Sequence, residues 1–204
     1  MSRPRIALSQ NFESVAGRDE TRDALDRRLA SMLWELGLLP LPLTSGITAP
    51  GDYLAELAPH GIVLSGGNDI GTAVIRDALE QAALAYATAH GLPVLGICRG
   101  MQFINHYQGG RLRDVTHHTA VRHRVHGPLV GVAGREVNSF HNYGLLDADL
   151  GVDLESLAWA DDGVVEALRH RERAWLGVMW HPERNTPVAT ADSQLIRRHF
   201  LESL

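Results

Sequence analysis

Apolar segments of two kinds alternate along the first half of the chain. Short apolar runs bounded by glycine or proline are typical of buried strands, and longer segments with apolar residues every three or four positions are typical of helices. The predicted strands are Arg5–Ser9, Leu38–Leu43, Gly61–Leu64 and Pro93–Ile97. The predicted helices are Glu20–Leu36, Arg76–His90 and Arg99–Gln108. This alternation predicts an α/β fold with a mainly parallel sheet.

The second half of the chain has many strand-like segments and little helix between them. The predicted strands are Gly134–Asn138, Leu157–Trp159, Val164–Leu168 and Trp175–Trp180, and a helix at Ala189–Ser203 closes the chain. Asp161-Asp162-Gly163 is compatible with a hairpin turn between two of these strands. We therefore expect antiparallel strands at one side of the same sheet, in one domain spanning residues 1–204.

Composition and charge exclude several classes of protein. Hydrophobic residues make up 45% of the 204 residues and charged residues 21%, which is ordinary for a globular domain. The formal net charge of −5 lacks the basic footprint of a nucleic-acid-binding protein. No apolar run approaches the roughly 20 residues of a membrane span, and the N-terminal apolar piece is too short for a secretory signal. We expect a soluble, cytoplasmic protein that binds neither nucleic acid nor membrane.

The segment around the only cysteine, Cys98, carries the most informative pattern. It reads strand, then Gly-Ile-Cys-Arg-Gly, then helix, which is a nucleophile elbow with cysteine in place of serine. Gly96 and Gly100 remove side chains that would collide in so sharp a turn. A helix N-terminus favours a thiolate, and the backbone N–H of Arg99 can donate to an oxyanion. The alternative is a buried, inert cysteine, but the complete pattern favours Cys98 as a nucleophile.

A second glycine-rich turn follows the predicted strand that ends at Leu64. It reads Ser-Gly-Gly-Asn-Asp and begins at Ser65. Glycines at Gly66 and Gly67 allow a backbone to approach a reacting carbonyl closely. We predict Gly67 as the second backbone donor of an oxyanion hole.

A thiol nucleophile needs a base, and the base needs an orienting group. His181 directly follows a predicted strand, and Pro182 after it favours extended backbone. Glu183 lies two residues further on, so both side chains can point the same way. A carboxylate there can fix the tautomer of the imidazole. We predict His181 as the base and Glu183 as its orienting group.

The chain contains 11 histidines, and most of them need no catalytic interpretation. His117, His118, His123 and His126 crowd a polar stretch whose spacing matches no structural zinc pattern. We interpret that stretch as a solvated loop and predict no metal site. His141 ends a predicted strand and is a candidate for lining the pocket.

Five motifs now identify a family resemblance. They are, in chain order, LSGGND, GICRGMQ, VNSFHN, DDGVVEA and GVMWHPE. Together they resemble the class I glutamine amidotransferase superfamily from about Arg5 to the last helix. The resemblance implies a flavodoxin-like three-layer sandwich with a mainly parallel central sheet.

The resemblance also implies roles for individual residues. The catalytic triad corresponds to Cys98, His181 and Glu183, and the oxyanion donors correspond to the backbone of Gly67 and Arg99. The substrate-binding residues that it implies are Gly66, Gln102, Ser139, Phe140 and His141. Four further residues are candidates for the pocket wall, among which the sequence does not discriminate: Arg18, Arg22, Tyr143 and Arg184.

Arginine after the nucleophile resembles the γ-glutamyl hydrolase branch of the superfamily, and so do Arg76-Asp77 and Glu80. The loop after Asp69 is shorter than in hydrolases of γ-glutamyl-γ-aminobutyrate, and Asn142-Tyr143 replace their usual histidine and glutamine. The short loop is most similar to the subgroup that hydrolyses γ-glutamyl-CDP-amidate, an enzyme type that supplies phosphoramidate to bacterial capsules. The resemblance therefore implies a small γ-glutamyl conjugate as substrate.

The expected reaction is hydrolysis through a γ-glutamyl thioester on Cys98, without a metal or organic cofactor. One alternative is a glutaminase subunit that supplies ammonia to a separate synthetase partner. The other is a non-catalytic protein of this fold in which the cysteine serves redox sensing or binding. A homodimer is compatible with the sequence.

Overall fold

The computed structural model describes residues 2–202, except for the side chain of Val132. The strands are β1 Arg5–Leu8, β2 Asn11–Ser14, β3 Thr21–Ala24, β4 Leu39–Pro42, β5 Gly61–Leu64, β6 Val94–Ile97, β7 Arg113–Asp114, β8 Thr119–Gly127, β9 Gly131–Phe140, β10 Tyr143–Gly144, β11 Leu154–Ala160, β12 Val165–His170 and β13 Trp175–Val178. The α-helices are α1 Arg27–Glu35, α2 Pro50–Leu57, α3 Val74–His90, α4 Arg99–Tyr107 and α5 Thr190–Leu201. Ser203, the predicted end of the last helix, lies outside the described residues.

Nine strands form one mixed sheet in the order β4-β1-β5-β6-β13-β12-β11-β8-β9. The strands from β4 to β13 in this order are parallel to one another. From β13 to β9, each neighbouring pair is antiparallel. This confirms the predicted α/β class with antiparallel strands at one side of the sheet. The Asp161-Asp162-Gly163 turn joins β11 to β12, also as predicted.

The strands at the centre of the sheet position the candidate site. β5, β6 and β13 are buried along their whole length, as expected for parallel strands covered on both faces. Because parallel strands end at the same edge of a sheet, the segments that follow Leu64, Ile97 and Val178 lie together. Ligands of open α/β sheets bind at this carboxyl edge. Within the described part of the chain, no helix combines the length and apolar character that crossing a bilayer requires.

The predicted helix Glu20–Leu36 is wrong in its first part. Thr21–Ala24 is strand β3, which pairs antiparallel with β2, and α1 begins only at Arg27. The carboxylate of Asp26 caps α1 by accepting the backbone N–H of Arg28 at 3.0 Å. Aspartate at this position satisfies a helix N–H that would otherwise lack a partner, so the helix starts there.

The β2–β3 hairpin is tied to the glycine-rich turn after β5. The side-chain oxygen of Asn68 accepts the backbone N–H of Phe12 at 2.8 Å, and its amide donates to the carbonyl of Phe12 at 2.9 Å. The side-chain oxygen of Asn11 accepts the backbone N–H of Asn68 at 2.9 Å. These three bonds fix the hairpin beside the turn that holds Gly66 and Gly67.

The predicted solvated loop around His117–His126 is also wrong. Most of it is strand β8, which pairs with β9. His118 is buried and His123 is largely buried, and both side chains face the buried carboxylate of Glu166. His117 and His126 are exposed. Strand pairing explains the error, because most residues of β8 are exposed and gave the segment a polar composition although it pairs with β9.

The turn from β6 into α4 is as tight as the elbow pattern predicts. Cys98 has φ 52° and ψ −108°, a conformation that side-chain-bearing residues rarely adopt. A Cβ on Gly96 would lie 2.5 Å from the carbonyl carbon of Gly100. A Cβ on Gly100 would lie 2.1 Å from the carbonyl oxygen of Leu64. The turn therefore requires glycine on both sides of Cys98.

Gly100→Ala is expected to destabilise the fold by about 2–3 kcal/mol or more, because its methyl group would displace the backbone of β5. Gly51→Ala is the matched control, since a Cβ at Gly51 meets no atom within 4 Å and alanine favours helix. Urea unfolding measures both changes. Equal stability of the two variants would contradict the packing described here.

Candidate active site

His181 and Glu183 form the tightest polar contact at the carboxyl edge of the sheet. Both are buried. The Nδ1–H of His181 donates to Oε1 of Glu183 at 2.6 Å, which leaves Nε2 as the free ring nitrogen. A short turn at Pro182–Arg184 brings the two side chains onto the same side of the chain. The carboxylate thus fixes the orientation of the ring and holds a proton on Nδ1.

The backbone of His181 is held by a residue that the sequence analysis did not assign. Asn138, at the end of β9, accepts the N–H of His181 at 2.8 Å and donates to its carbonyl oxygen at 2.9 Å. The side chain of Asn138 thereby acts like a neighbouring strand. Its motif position was visible in VNSFHN, but nothing local pointed to a partner 43 residues away.

The charge of His181 depends on its two neighbours. Burial disfavours the imidazolium, but hydrogen bonds with Cys98 and Glu183 outweigh it and raise the pKa of His181 to about 9. Cys98 therefore lies close enough to the imidazole that Glu183 orients to influence its charge. At neutral pH the ring is protonated and can stabilise a thiolate or donate a proton.

Two turns at this edge of the sheet contain the backbone N–H groups predicted as oxyanion donors. Arg99 is the first residue of α4, so its N–H has no partner within the helix. Gly66 packs against the His181 ring so closely that a Cβ would lie 2.7 Å from Cε1. Gly67 has φ 129°, a conformation natural only for glycine. The turn after β5 therefore brings its backbone at Gly66, without a side chain, up to the imidazole.

A buried chain of ion pairs connects the two turns. Glu80 accepts hydrogen bonds from both Arg76, at 3.0 Å, and Arg99. Arg76 donates in turn to the carbonyl oxygens of Ser65 and Gly66, at 2.8 and 3.0 Å. Burial lowers the pKa of Arg76, and the charge of Glu80 opposes this shift. Asp77 adds a second carboxylate to Arg99.

The residues predicted to bind substrate fall into two groups. Gln102, Ser139 and His141 are buried, and the side-chain amide of Gln102 donates to the carbonyl of Tyr143 at 2.7 Å. Phe140 is 40% exposed and meets the His181 ring edge-on, with 5.9 Å between the ring centroids. Of these four side chains, that of Phe140 lines an open cavity.

Two neighbouring cavities open beside His181. The first has a volume of about 360 Å³, and its lining includes Ser65, Gly66, Gly67, His181, Glu183 and Arg184. The second, of about 490 Å³, is lined by Phe140 and by three arginines, Arg28, Arg122 and Arg184. Arg184 lines both cavities, and its guanidinium lies 4.5 Å above the Phe140 ring. The second cavity therefore forms a basic mouth next to the first.

The four further pocket candidates are now separated. Arg184 lines both cavities. Arg18 and Arg22 are exposed and pair with Glu20, outside both linings. The carbonyl of Tyr143 accepts hydrogen bonds from Gln102 and His141. Tyr143 therefore contributes through its backbone oxygen, which holds these two side chains in place.

Comparisons with known proteins agree with the fold and the motifs. The family model Peptidase C26 matches residues 4–183. The gamma-glutamyl-CDP-amidate hydrolase of Campylobacter jejuni is 34% identical over 151 residues, which cover 71% of each chain. The glutamine-hydrolysing GMP synthase of Ruthia magnifica is 33% identical over 147 residues, which cover 65% of this chain and 26% of that one.

A solved structure from Thermoplasma acidophilum, assigned provisionally as a component of GMP synthase, has the same fold. Its TM-score is 0.75 at 22% identity, over 98% of this chain and 94% of the other.

The His181 imidazole is expected to titrate near pH 9, measurable by NMR of ring-labelled histidine. Because this pKa exceeds the ordinary value of 6.5, the proton stabilises the fold fully below about pH 6.5. That contribution is lost as the pH rises through about 9. Glu183→Gln and Cys98→Ala should each lower the pKa of His181, since each removes a partner of the imidazolium.

His199 is the internal reference for this titration. Burial lowers its pKa to about 4, against a hydrogen bond to the carbonyl of Val94, and both substitutions should leave it there. A His181 pKa that ignores both substitutions would contradict the described contacts.

Proposed function

The chain belongs to the Peptidase C26 family of class I glutamine amidotransferase-like proteins, and we propose that it hydrolyses the γ-glutamyl amide bond of a small conjugate with Cys98 as nucleophile. One observation carries this proposal. Cys98 occupies a strained turn at a helix N-terminus, beside an imidazole that Glu183 orients and whose pKa Cys98 helps to raise. An inert buried cysteine needs neither the strain nor the oriented base.

The first half of the reaction forms a thioester. Cys98 and His181 start as a thiolate–imidazolium pair, in which the proton of Cys98 already lies on Nε2 of His181, and Sγ attacks the γ-carbonyl carbon. The carbonyl electron pair moves to oxygen, where the N–H groups of Gly67 and Arg99 stabilise the oxyanion, each by about 3–4 kcal/mol. When the intermediate collapses, the C–N bond breaks, and the leaving nitrogen takes the proton from His181.

The second half releases glutamate. Nε2 of His181 takes a proton from water, and the hydroxide oxygen attacks the thioester carbon. The C–S bond then breaks, the electron pair returns to sulfur, and the thiolate is again paired with the imidazolium of His181. Glu183 holds the ring in the same tautomer throughout, so one imidazole serves as base and acid in turn.

We infer that the leaving group is anionic, and the best candidate substrate is γ-glutamyl-CDP-amidate. The basic mouth supports this assignment, because Arg122 and Arg184 line it together with Arg28, whose guanidinium is paired with Asp26, and guanidinium groups suit phosphate geometry. The Campylobacter jejuni relative carries the name of this activity. Release of the phosphoramidate nucleotide would then serve capsule biosynthesis, as the resemblance implied.

Glutamate release from three substrates tests the reaction: glutamine, γ-glutamyl-γ-aminobutyrate and γ-glutamyl-CDP-amidate. Rapid turnover of the nucleotide conjugate with poor turnover of glutamine is expected. Cys98→Ala should reduce turnover by on the order of 10⁴-fold or more, with a cooperative melting curve that shows the variant to be folded. Full activity in that variant would eliminate Cys98 as the nucleophile. Cleavage of glutamine alone, or silence until a synthetase is added, would instead favour a glutaminase subunit.

The basic mouth makes a separate prediction. Arg122→Ala should raise KM for γ-glutamyl-CDP-amidate roughly tenfold to a hundredfold, because a charged hydrogen bond to phosphate contributes about 1.5–3 kcal/mol. KM for glutamine should not change. Arg124→Ala is the matched control, since Arg124 is an exposed arginine of the same strand outside the cavity lining. Equal effects of both variants would refute a phosphate subsite at Arg122.

A further inference from the structure

Three histidines surround one buried carboxylate in the antiparallel part of the sheet. Their ring nitrogens lie close to Oε1 of Glu166: Nδ1 of His118 at 3.4 Å, Nε2 of His123 at 3.4 Å and Nε2 of His141 at 3.3 Å. The side chains of His118, His141 and Glu166 are at most 2% exposed, and that of His123 is 17% exposed. We call these four residues the histidine cluster.

The contacts inside the histidine cluster are not hydrogen bonds. None of the three inner nitrogens, nor either carboxylate oxygen of Glu166, has a hydrogen-bond partner among residues 2–202. Isolated buried carboxylates are very costly, so they are normally paired or bound to a metal. Five unpartnered polar atoms converging on one point therefore indicate that an additional group belongs there.

The outer nitrogens of two of these rings are occupied. Nε2 of His118 donates to Asp162 at 2.9 Å, and Nδ1 of His141 donates to the carbonyl of Tyr143 at 2.9 Å. In the neutral rings these bonds place the proton on the outer nitrogen, and the inner nitrogen presents a lone pair to Glu166. Lone pairs facing a carboxylate repel each other unless a cation lies between them.

Metal-bound histidines show the same arrangement. Their second ring nitrogen donates to a carboxylate or a backbone carbonyl, which fixes the tautomer and the ring orientation. Asp162 and Tyr143 supply one of each. The outer contacts of the histidine cluster are thus those of a metal centre, whereas a loop of solvated histidines would not need them.

We propose that the histidine cluster is a zinc site in which His118, His123, His141 and Glu166 are the four ligands. Zinc bound tetrahedrally at 2.0–2.2 Å separates neighbouring ligand atoms by about 3.3–3.5 Å, and the three nitrogens lie 3.3–3.4 Å from Oε1. The ligand atoms of His118, His141 and Glu166 all lie within 4.8 Å of one another. Nε2 of His123 approaches this group through Oε1 of Glu166, at 3.4 Å.

The ligand set also narrows the chemistry. Imidazole nitrogens suit zinc and its transition-metal neighbours, whereas magnesium and calcium prefer oxygen ligands. Four protein ligands fill a tetrahedral site, so the ion has a structural role and leaves no open position for water. This proposal does not depend on the proposed hydrolase activity.

The position of the histidine cluster indicates what the ion would hold in place. His141 directly follows Phe140, and its outer contact is the Tyr143 carbonyl that also accepts Gln102. The backbone carbonyl of Glu166 accepts the N–H of Met179 at 2.7 Å, two residues before His181. The ion would therefore fix the segment Ser139–His141 against the strand that leads to the candidate base.

The test uses the untagged wild-type chain, purified without chelator or metal-affinity resin. Elemental analysis after gel filtration should give about one zinc per chain. The metal-free protein should gain thermal stability on addition of zinc. With cobalt(II), it should show the visible absorption of a tetrahedral site. Less than a tenth of an equivalent of zinc, with no cobalt band and no thermal shift, would overturn the proposal and indicate that protons alone balance Glu166.

Variants locate the ion. His141→Gln and Glu166→Gln should each lose zinc and the cobalt band. His126→Gln is the matched control, because His126 is an exposed histidine of β8 outside the cluster, and it should retain both. Zinc retained equally by all three variants would place the ion elsewhere and refute the site. If a cluster variant fails to fold, the cobalt(II) spectrum of the wild type still tests whether a tetrahedral metal site exists.

Discussion

The buried ion pairs that join Arg76 to Arg99 through Glu80 hold together the two turns of the candidate site. Arg99 follows Cys98 in the chain, and Arg76 donates hydrogen bonds to the carbonyl oxygens of Ser65 and Gly66. The glycine-rich turn after β5 and the elbow after β6 are therefore linked by side chains as well as by the pairing of their strands. This linkage gives a physical reason for arginine after the nucleophile, which the sequence showed only as a branch resemblance.

Such a network fixes the positions of its side chains more than it raises the free energy of unfolding. Burying ion pairs gains little over packing apolar side chains, whereas removing one partner typically costs about 3–5 kcal/mol. The same logic applies to the clamp between Asn138 and His181, and to the tight packing of Gly100 on Leu64. Together they hold the strained backbone of Cys98 and the imidazole in a fixed relation, which proximity-based catalysis requires.

Local patterns predicted the centre of this molecule well. β5 matches its predicted bounds, and buried parallel strands are legible because they are short apolar runs between glycines. The hairpin β2–β3 was missed because the helical spacing of apolar residues continues on the N-terminal side of Asp26, the residue that caps α1. The predicted helix was therefore extended back over β3. The histidine cluster was missed because its members, from His118 to Glu166, come from separate segments of the sheet. The spacing of histidines within one segment does not reveal which residues of other segments lie beside them. Non-local partners such as Asn138 escape sequence analysis for the same reason.

The central claim is that Cys98 carries a γ-glutamyl thioester during turnover. Mass spectrometry of protein quenched in acid during steady-state turnover tests it most directly, since acid preserves a thioester. We expect a γ-glutamyl adduct on the peptide containing Cys98, absent from Cys98→Ala. The claim would be contradicted if the wild type completed many turnovers under conditions in which thioester hydrolysis is the slow step, and no adduct was found on Cys98.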